Sequence, residues 1–161
     1  MLAPTISPNE ALIGVQSDLF GEISVPEDAI LSFPTGIYGF EDFRSYILVE
    51  AQLPGFFWLQ STSRSSLLFL LVDPFAHAEG YAIDLDSGTR EALGAAHSED
   101  VAILSIVTLP RDESEEATLN LRGPIAINMA TRLARQLVLD DPRWGVRQAL
   151  DLEALAEPDA E

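Results

Sequence analysis

The sequence predicts a mostly β fold: a small closed or partly open antiparallel β-barrel with short helical elements and a helical C-terminus. Three observations carry this. Short apolar runs with a period of two recur from Gly21 to Asn128, separated by Gly, Pro and Asp-Pro breaks at the spacing of sandwiches and barrels. The runs are apolar enough that open strand edges would invite aggregation, and closure removes edges. The chain has 161 residues, the size of one domain.

The elements follow in order. Pro4, Ser7, Pro8, Asn9, Gly14 and Ser17 interrupt any periodicity, so residues 1–18 are expected to be a loose leader, with the domain proper over residues 19–150. In Gly21 to Val25, Ile23 and Val25 alternate with Glu22 and Ser24, and Pro26 ends the run. Ala29, Leu31 and Phe33 line one face of the next. Pro34-Thr35-Gly36 followed by Gly39 predicts a compact loop with positive φ angles.

Tyr46 to Glu50 and Phe56 to Gln60 read as strands; the cluster Phe56-Phe57-Trp58 faces both sides of its strand, as core-packing residues do. Leu67 to Val72 is a continuous apolar run suited to a strand buried on both faces, and Asp73-Pro74 stops it. Tyr81, Ile83 and Leu85 alternate with Ala82, Asp84 and Asp86, which predicts another strand. Ser87 to Gly94 predicts a short helix with Ser87 as N-cap and Gly94 just past its end.

Val101 to Leu109 is the most apolar run and reads as a central strand. Pro110 to Glu116 is a charged loop. Leu119 to Leu121 and Pro124 to Asn128 form two short strands around a turn at Gly123. Arg132 to Leu139 fits either a helix or a strand: Leu133 and Leu137 are four apart, whereas Leu137 and Leu139 alternate. Arg143 to Ala156 has helical composition up to Pro158, and residues 151–161 form an acidic tail, a helix expected to fray.

Charge narrows the function classes. The chain carries 26 acidic residues and 9 basic ones, all Arg, for a net of -17. Such a body repels phosphate backbones and anionic lipid surfaces, so direct nucleic-acid or membrane binding is not expected, whereas a basic protein is drawn in by the field. There is no Cys, which removes disulfides, thiolate metal sites and thiol nucleophiles. The start has no basic region or apolar run of signal length, and a cytoplasmic location is expected.

The motifs of catalysis are missing or generic. His77 and His97 lack partners at metal-ligand spacing, no Ser sits in a G-x-S-x-G elbow, and no phosphate-binding glycine loop occurs. Asp84 and Asp86 on one strand face would lie roughly 7 Å apart, a carboxylate spacing compatible with glycosidases but equally with a solvated face. No cofactor or metal is expected.

Several segments together resemble the FliW family of flagellar assembly factors over residues 19 to 150. Phe20 to Val25 (FGEISV) is similar to the family's first strand. Phe33 to Asp42 (FPTGIYGFED) is similar to its F-P-x-G-hydrophobic-x-G-F-E signature, Trp58 to Ser61 (WLQS) to its W-L-Q-S strand, and Val72-Asp73-Pro74 to its D-P turn. Glu99-Asp100-Val101 with Ile106-Val107-Thr108, and Asn120 to Asn128 (NLRGPIAIN), also match. Arg132, Gln136 and Leu139 fall where the family's last strand has similar residues, which favours a strand there. Gly123 replaces the usual Ala, and Trp144 to Arg147 departs from the family's Tyr-containing segment.

The resemblance implies a small β-barrel without catalytic activity that binds flagellin and the basic RNA-binding regulator CsrA, relieving CsrA repression of flagellin translation. A flagellin-holding chaperone without a CsrA role is one alternative; a ligand carrier or enzyme using the barrel mouth, with Asp84, Asp86 and a His converging on a pocket, is another. The expected partner-binding residues are the surface-prone motif positions Glu41, Asp73, Glu99, Asp100, Asn120 and Asn128, with Phe40 as an apolar anchor or else a core residue.

Overall fold

A computed structural model describes residues 12–150, apart from 111 and 113. Alternation in the sequence becomes a barrel because each strand buries every second side chain on one side of the sheet. The strands are β1 (Leu12–Ser17), β2 (Gly21–Pro26), β3 (Leu31–Ser32), β4 (Ser45–Glu50), β5 (Phe56–Ser61) and β6 (Leu68–Val72). After a helix α1 (Ser87–Ala92) come β7 (Ala102–Thr108), β8 (Ala117–Leu119), β9 (Ile125–Asn128), β10 (Leu133–Gln136) and β11 (Gln148–Leu150).

The strand order β7-β6-β5-β4-β3-β10-β9 closes back onto β7, giving a seven-stranded barrel. One edge of β7 is shared. Its first half, Ala102 to Leu104, pairs with β9, and its second half, Val107 and Thr108, pairs with β8. The pair β8–β11 therefore hangs off the barrel as a flap. All barrel pairings are antiparallel except one: β10 meets β3 in parallel, through Leu133 and Ser32 alone.

Register places the apolar face inward. Leu59 pairs with Leu48 and Phe69, Leu71 with Ile106, Leu104 with Ile125, and Ile127 with Ala134. These side chains form one cluster with Phe33 and Tyr46, whose rings meet edge to face at 5.1 Å, and this apolar cluster occupies the barrel interior. Two further clusters sit outside the wall. Phe56, Val72, Val107 and Leu119 are covered by Tyr81 and Trp144, and Ala126 is covered by Leu85 and Leu93.

Phe56 and Phe57 thus divide between an outer and the inner cluster, as expected of a strand apolar on both faces. The Tyr46 hydroxyl is buried inside without a hydrogen-bond partner among the described residues. Tyr46→Phe is accordingly expected to leave thermal stability unchanged or raise it by up to about 1 kcal/mol, because the missing hydroxyl loses no bond and needs no desolvation.

Burial pushes the phenols of Tyr46 and Tyr81 up to about 12. A phenol held neutral in the folded state stabilises fully below the unfolded value of about 10 and stops doing so as pH rises towards the folded value. Stability measured by denaturant unfolding should therefore fall between about pH 10 and pH 12.

Four expectations change. Residues 12–17, expected within a loose leader, form β1 and pair with β2 along their whole length, anchored by buried Val15. A two-stranded ribbon tolerates Gly14, and the Ser17 hydroxyl accepts from the Leu19 and Phe20 N–H groups to close its turn. Residues 1–11 lie outside the described set. The segment 81–86 alternates as read but has no strand partner: it straps the outside of the barrel, Tyr81 donating to the Leu121 carbonyl at 2.6 Å. Alternation reports one buried face, and here that face rests on side chains.

The N-cap of α1 is Asp86, whose carboxylate accepts from the Thr89 N–H at 2.7 Å, while Gly94 ends it with φ of 66°. Finally, the helix expected from Arg143 is replaced, up to Leu150, by a turn and β11 paired to β8. Burial of Trp144 and Leu150 and pairing with β8 outweigh the segment's helix propensity. Residues 151–161 lie outside the described set.

Candidate functional site

After their single parallel contact, β3 and β10 diverge. The gap between them opens into a cleft of about 430 Å³, lined by the loop after β3, the turn before β9 and the continuation of β10. The loop carries the FPTGIYGFED segment, and the structure gives a reason for most of its residues. Phe33 and Ile37 are buried anchors. Gly36 has φ of 73°, donates to the Phe33 carbonyl at 2.9 Å, and lies so close to the next turn that a Cβ would fall 2.7 Å from the Glu41 Cα. Gly39 has φ of 89° and donates to the Glu41 carboxylate at 3.1 Å. That bond, with the residue's own N–H, holds the Glu41 carboxyl below the ordinary carboxylate range. The Arg44 guanidinium donates to the Glu41 carbonyl.

With the loop so folded, Tyr38 stands 85% exposed at the cleft rim. Phe40 is intermediate between the two expected roles: 37% exposed, with its ring edge to face on Phe69 at 5.2 Å. Across the cleft, the Asn120 amide oxygen accepts from the Gly123 N–H at 2.8 Å. Gln136 spans the gap, its amide oxygen accepting from the Tyr38 N–H at 2.8 Å and its amide nitrogen donating to the Gly123 carbonyl at 3.0 Å. Gln136→Leu removes both bonds and should cost about 1–3 kcal/mol while loosening the loop, measurable as a lower unfolding midpoint and faster amide exchange at Tyr38.

Of the expected site residues, the structure brings Glu41 and Asn120 to this cleft and sets Phe40 beside it. The others lie elsewhere, and all but Glu99 serve the backbone. Asp73 accepts from the Phe75 N–H at 2.9 Å, capping the turn after β6. Asp100 accepts from the His97 N–H at 3.0 Å in the turn before β7, where Glu99 is exposed. Asn128 is only 2% exposed; its amide donates to the Leu93 carbonyl and accepts from the Ala130 N–H, so it is not on the surface. Tyr38, Gln136, Val138 and Val146 line the cleft and were not among the expected binding residues. Gln136 carried a signal, a polar residue on the inward face of a barrel strand. Val138 and Val146 carried none, since an exposed Val looks like a core Val in sequence.

A second, smaller depression of about 320 Å³ lies on the outer face of the same strand. Asp84, Asp86 and Arg135 line it, and no His does. Asp86 is held low by the Thr89 N–H first and hydroxyl second, with weaker help from Arg135 and Arg90. His77 instead rests near Phe56, at 6.1 Å between rings. Among the described residues no three His, Asp or Glu side chains form a metal-binding group, and no helix is long and apolar enough to cross a membrane.

The family model described as FliW protein matches residues 14–150. The flagellar assembly factor FliW of Natranaerobius thermophilus is 42% identical over 137 residues, 84% of this chain and 91% of that protein. The flagellar assembly factor FliW of Moorella thermoacetica is 34% identical over 147 residues, 91% of this chain and 93% of its own length. Among solved structures, a crystal structure of the flagellar assembly factor FliW superimposes with a TM-score of 0.77 at 32% identity, covering 87% of this chain and 98% of that one.

Proposed function

This chain belongs to the FliW family of flagellar assembly factors, and on that premise we propose that it acts by binding flagellin and a CsrA-type RNA-binding regulator, without catalysis. Flagellin and the regulator exclude one another on the factor. Export of flagellin frees the factor, which captures the regulator in the cytoplasm and relieves repression of flagellin mRNA translation.

The observation that carries this reading is the family match over residues 14–150, which spans the barrel and the loop that walls the cleft. Charge supports it. A body of net -17 attracts a basic RNA-binding protein and repels RNA itself. The apolar side chains packed inside the barrel argue against a polar ligand carried there.

Titration calorimetry against each partner, singly and then together, tests it. Each partner is expected to bind alone, and saturating flagellin is expected to abolish the heat of regulator binding. Absence of binding to both partners would overturn the reading. Association with the regulator should also slow by about tenfold or more between low and high salt, because steering is screened beyond ~10 Å at 0.1 M. Stopped-flow rates that ignore salt would remove steering from the account. The paired variant Glu41→Lys with Asp100→Lys inverts two exposed carboxylates, and a folded variant with wild-type affinity for both partners would exclude those two positions from the contact.

A further inference from the structure

A closed barrel leaves few strand edges, and one of them is open beside the cleft. Beyond Gln136 the β10 backbone keeps pairing on one side: Leu137 donates to the Pro124 carbonyl and Leu139 to the Arg122 carbonyl, each at 2.8 Å. Alternation turns the N–H and C=O of Val138 to the opposite side, towards the gap where β3 has departed. Val138 makes no hydrogen bond among the described residues, and the residue is 73% exposed. The same three residues, Gln136, Leu137 and Val138, form a wall shared by the cleft and the outer depression.

We propose that this edge takes an added β-strand: an extended segment of the protein partner, alternating apolar and basic side chains, pairs its backbone with Val138. Successive side chains of such a strand point to opposite faces. One set enters the cleft beside Tyr38 and Val146, both more than half exposed and apolar. The other set lies over the depression that holds the Asp84 and Asp86 carboxylates. Carboxylates outnumber guanidiniums across the two hollows, with Glu41, Asp84 and Asp86 facing Arg122 and Arg135, and the whole chain is at -17. The complement is therefore cationic. Main-chain pairing supplies affinity in this mode and the alternate hollows supply selectivity. The identity of the partner rests on the function proposed above; the edge does not.

The probe is a fluorescent peptide of alternating Val and Arg, compared with a twin N-methylated at alternate residues. The twin keeps charge and side chains but lacks the N–H donors along one edge that the backbone ladder needs. Fluorescence anisotropy is expected to show the parent binding and the twin binding about tenfold more weakly, the loss of one or two hydrogen bonds. Equal binding of the two peptides would mean adhesion by charge alone and would overturn the proposal.

Val138→Pro deletes the free N–H without breaking an existing bond and should weaken the parent peptide to a similar degree, whereas Val138→Ala should retain the difference between the peptides. A folded Val138→Pro with wild-type affinity also overturns the proposal, and if that variant does not fold the peptide pair on the wild-type chain still decides. Flagellin and the regulator are then tested on the same variants. Binding of both to Val138→Pro at wild-type strength sinks the edge and leaves the function standing. Binding of neither to the wild type sinks the function, while the peptide pair still judges the edge.

Discussion

Gly36→Val is expected to lower the unfolding free energy by about 3–5 kcal/mol, combining a side chain at positive φ with overpacking against backbone. The cause is local and twofold. At φ of 73° a β-branched residue is strained whatever surrounds it. Its Cβ would also fall 2.7 Å from the Glu41 Cα and 3.0 Å from the Glu41 carbonyl oxygen, and neither atom is the end of a flexible side chain that can swing aside. For a chain of this size the loss corresponds to roughly 2–4 °C of melting temperature per kcal/mol. Thermal unfolding by circular dichroism measures it. A folded fraction of the variant should also show the loop displaced, with the Gly39 N–H no longer on the Glu41 carboxylate and Tyr38 no longer on Gln136. A melting temperature within a few degrees of wild type would show that the loop is more plastic than its packing indicates.

The second large effect is at Asn128. Asn128→Ala is expected to cost about 2–4 kcal/mol, since it removes a buried amide with three hydrogen bonds and leaves the Leu93 carbonyl with the Thr131 hydroxyl alone. The amide holds three things together: the Leu93 carbonyl at the end of α1, the Ala130 N–H at 3.0 Å and the Thr131 N–H at 3.4 Å. These bonds shape the turn in which Arg132 takes φ of 62°, the only non-glycine residue at positive φ among those described. Amide exchange at Leu93 and Gly94 should accelerate as the end of α1 loosens. Affinity for protein partners, corrected for the folded fraction, should be unchanged because the side chain is inside. A folded Asn128→Ala variant that loses a partner while exchange at Leu93 stays slow would return Asn128 to the interface.

Asn128 and Glu41 show how far the sequence carries. Both sit in recognisable motifs and both are polar, which made them equal candidates. The β9 strand buries Asn128 between α1 and its own turn, whereas the loop after β3 leaves Glu41 at a cleft. A motif says that a residue is constrained and leaves open whether the constraint is internal. Asp73, Asp100 and Asn120 make the same point: each has a backbone N–H to satisfy, and that alone accounts for a carboxylate or amide at its position.

Most strands were legible because alternation and apolar runs are local signals, and the glycine positions at 36, 39 and 94 were legible because the turns around them have few solutions. The sequence by itself determined a β-rich, strongly acidic chain without the residue patterns of metal or nucleophilic chemistry, and the family segments in order along it. Tertiary structure decided the rest. It made residues 12–17 a strand, 81–86 a strap and 148–150 a strand, since pairing depends on which partner backbone lies alongside and no window of sequence contains that partner. It also decided where the barrel wall opens. β3 and β10 lie about a hundred residues apart in the chain and touch through one pair before parting. The cleft and the free backbone at Val138 exist because of that parting, and non-local geometry leaves no local trace.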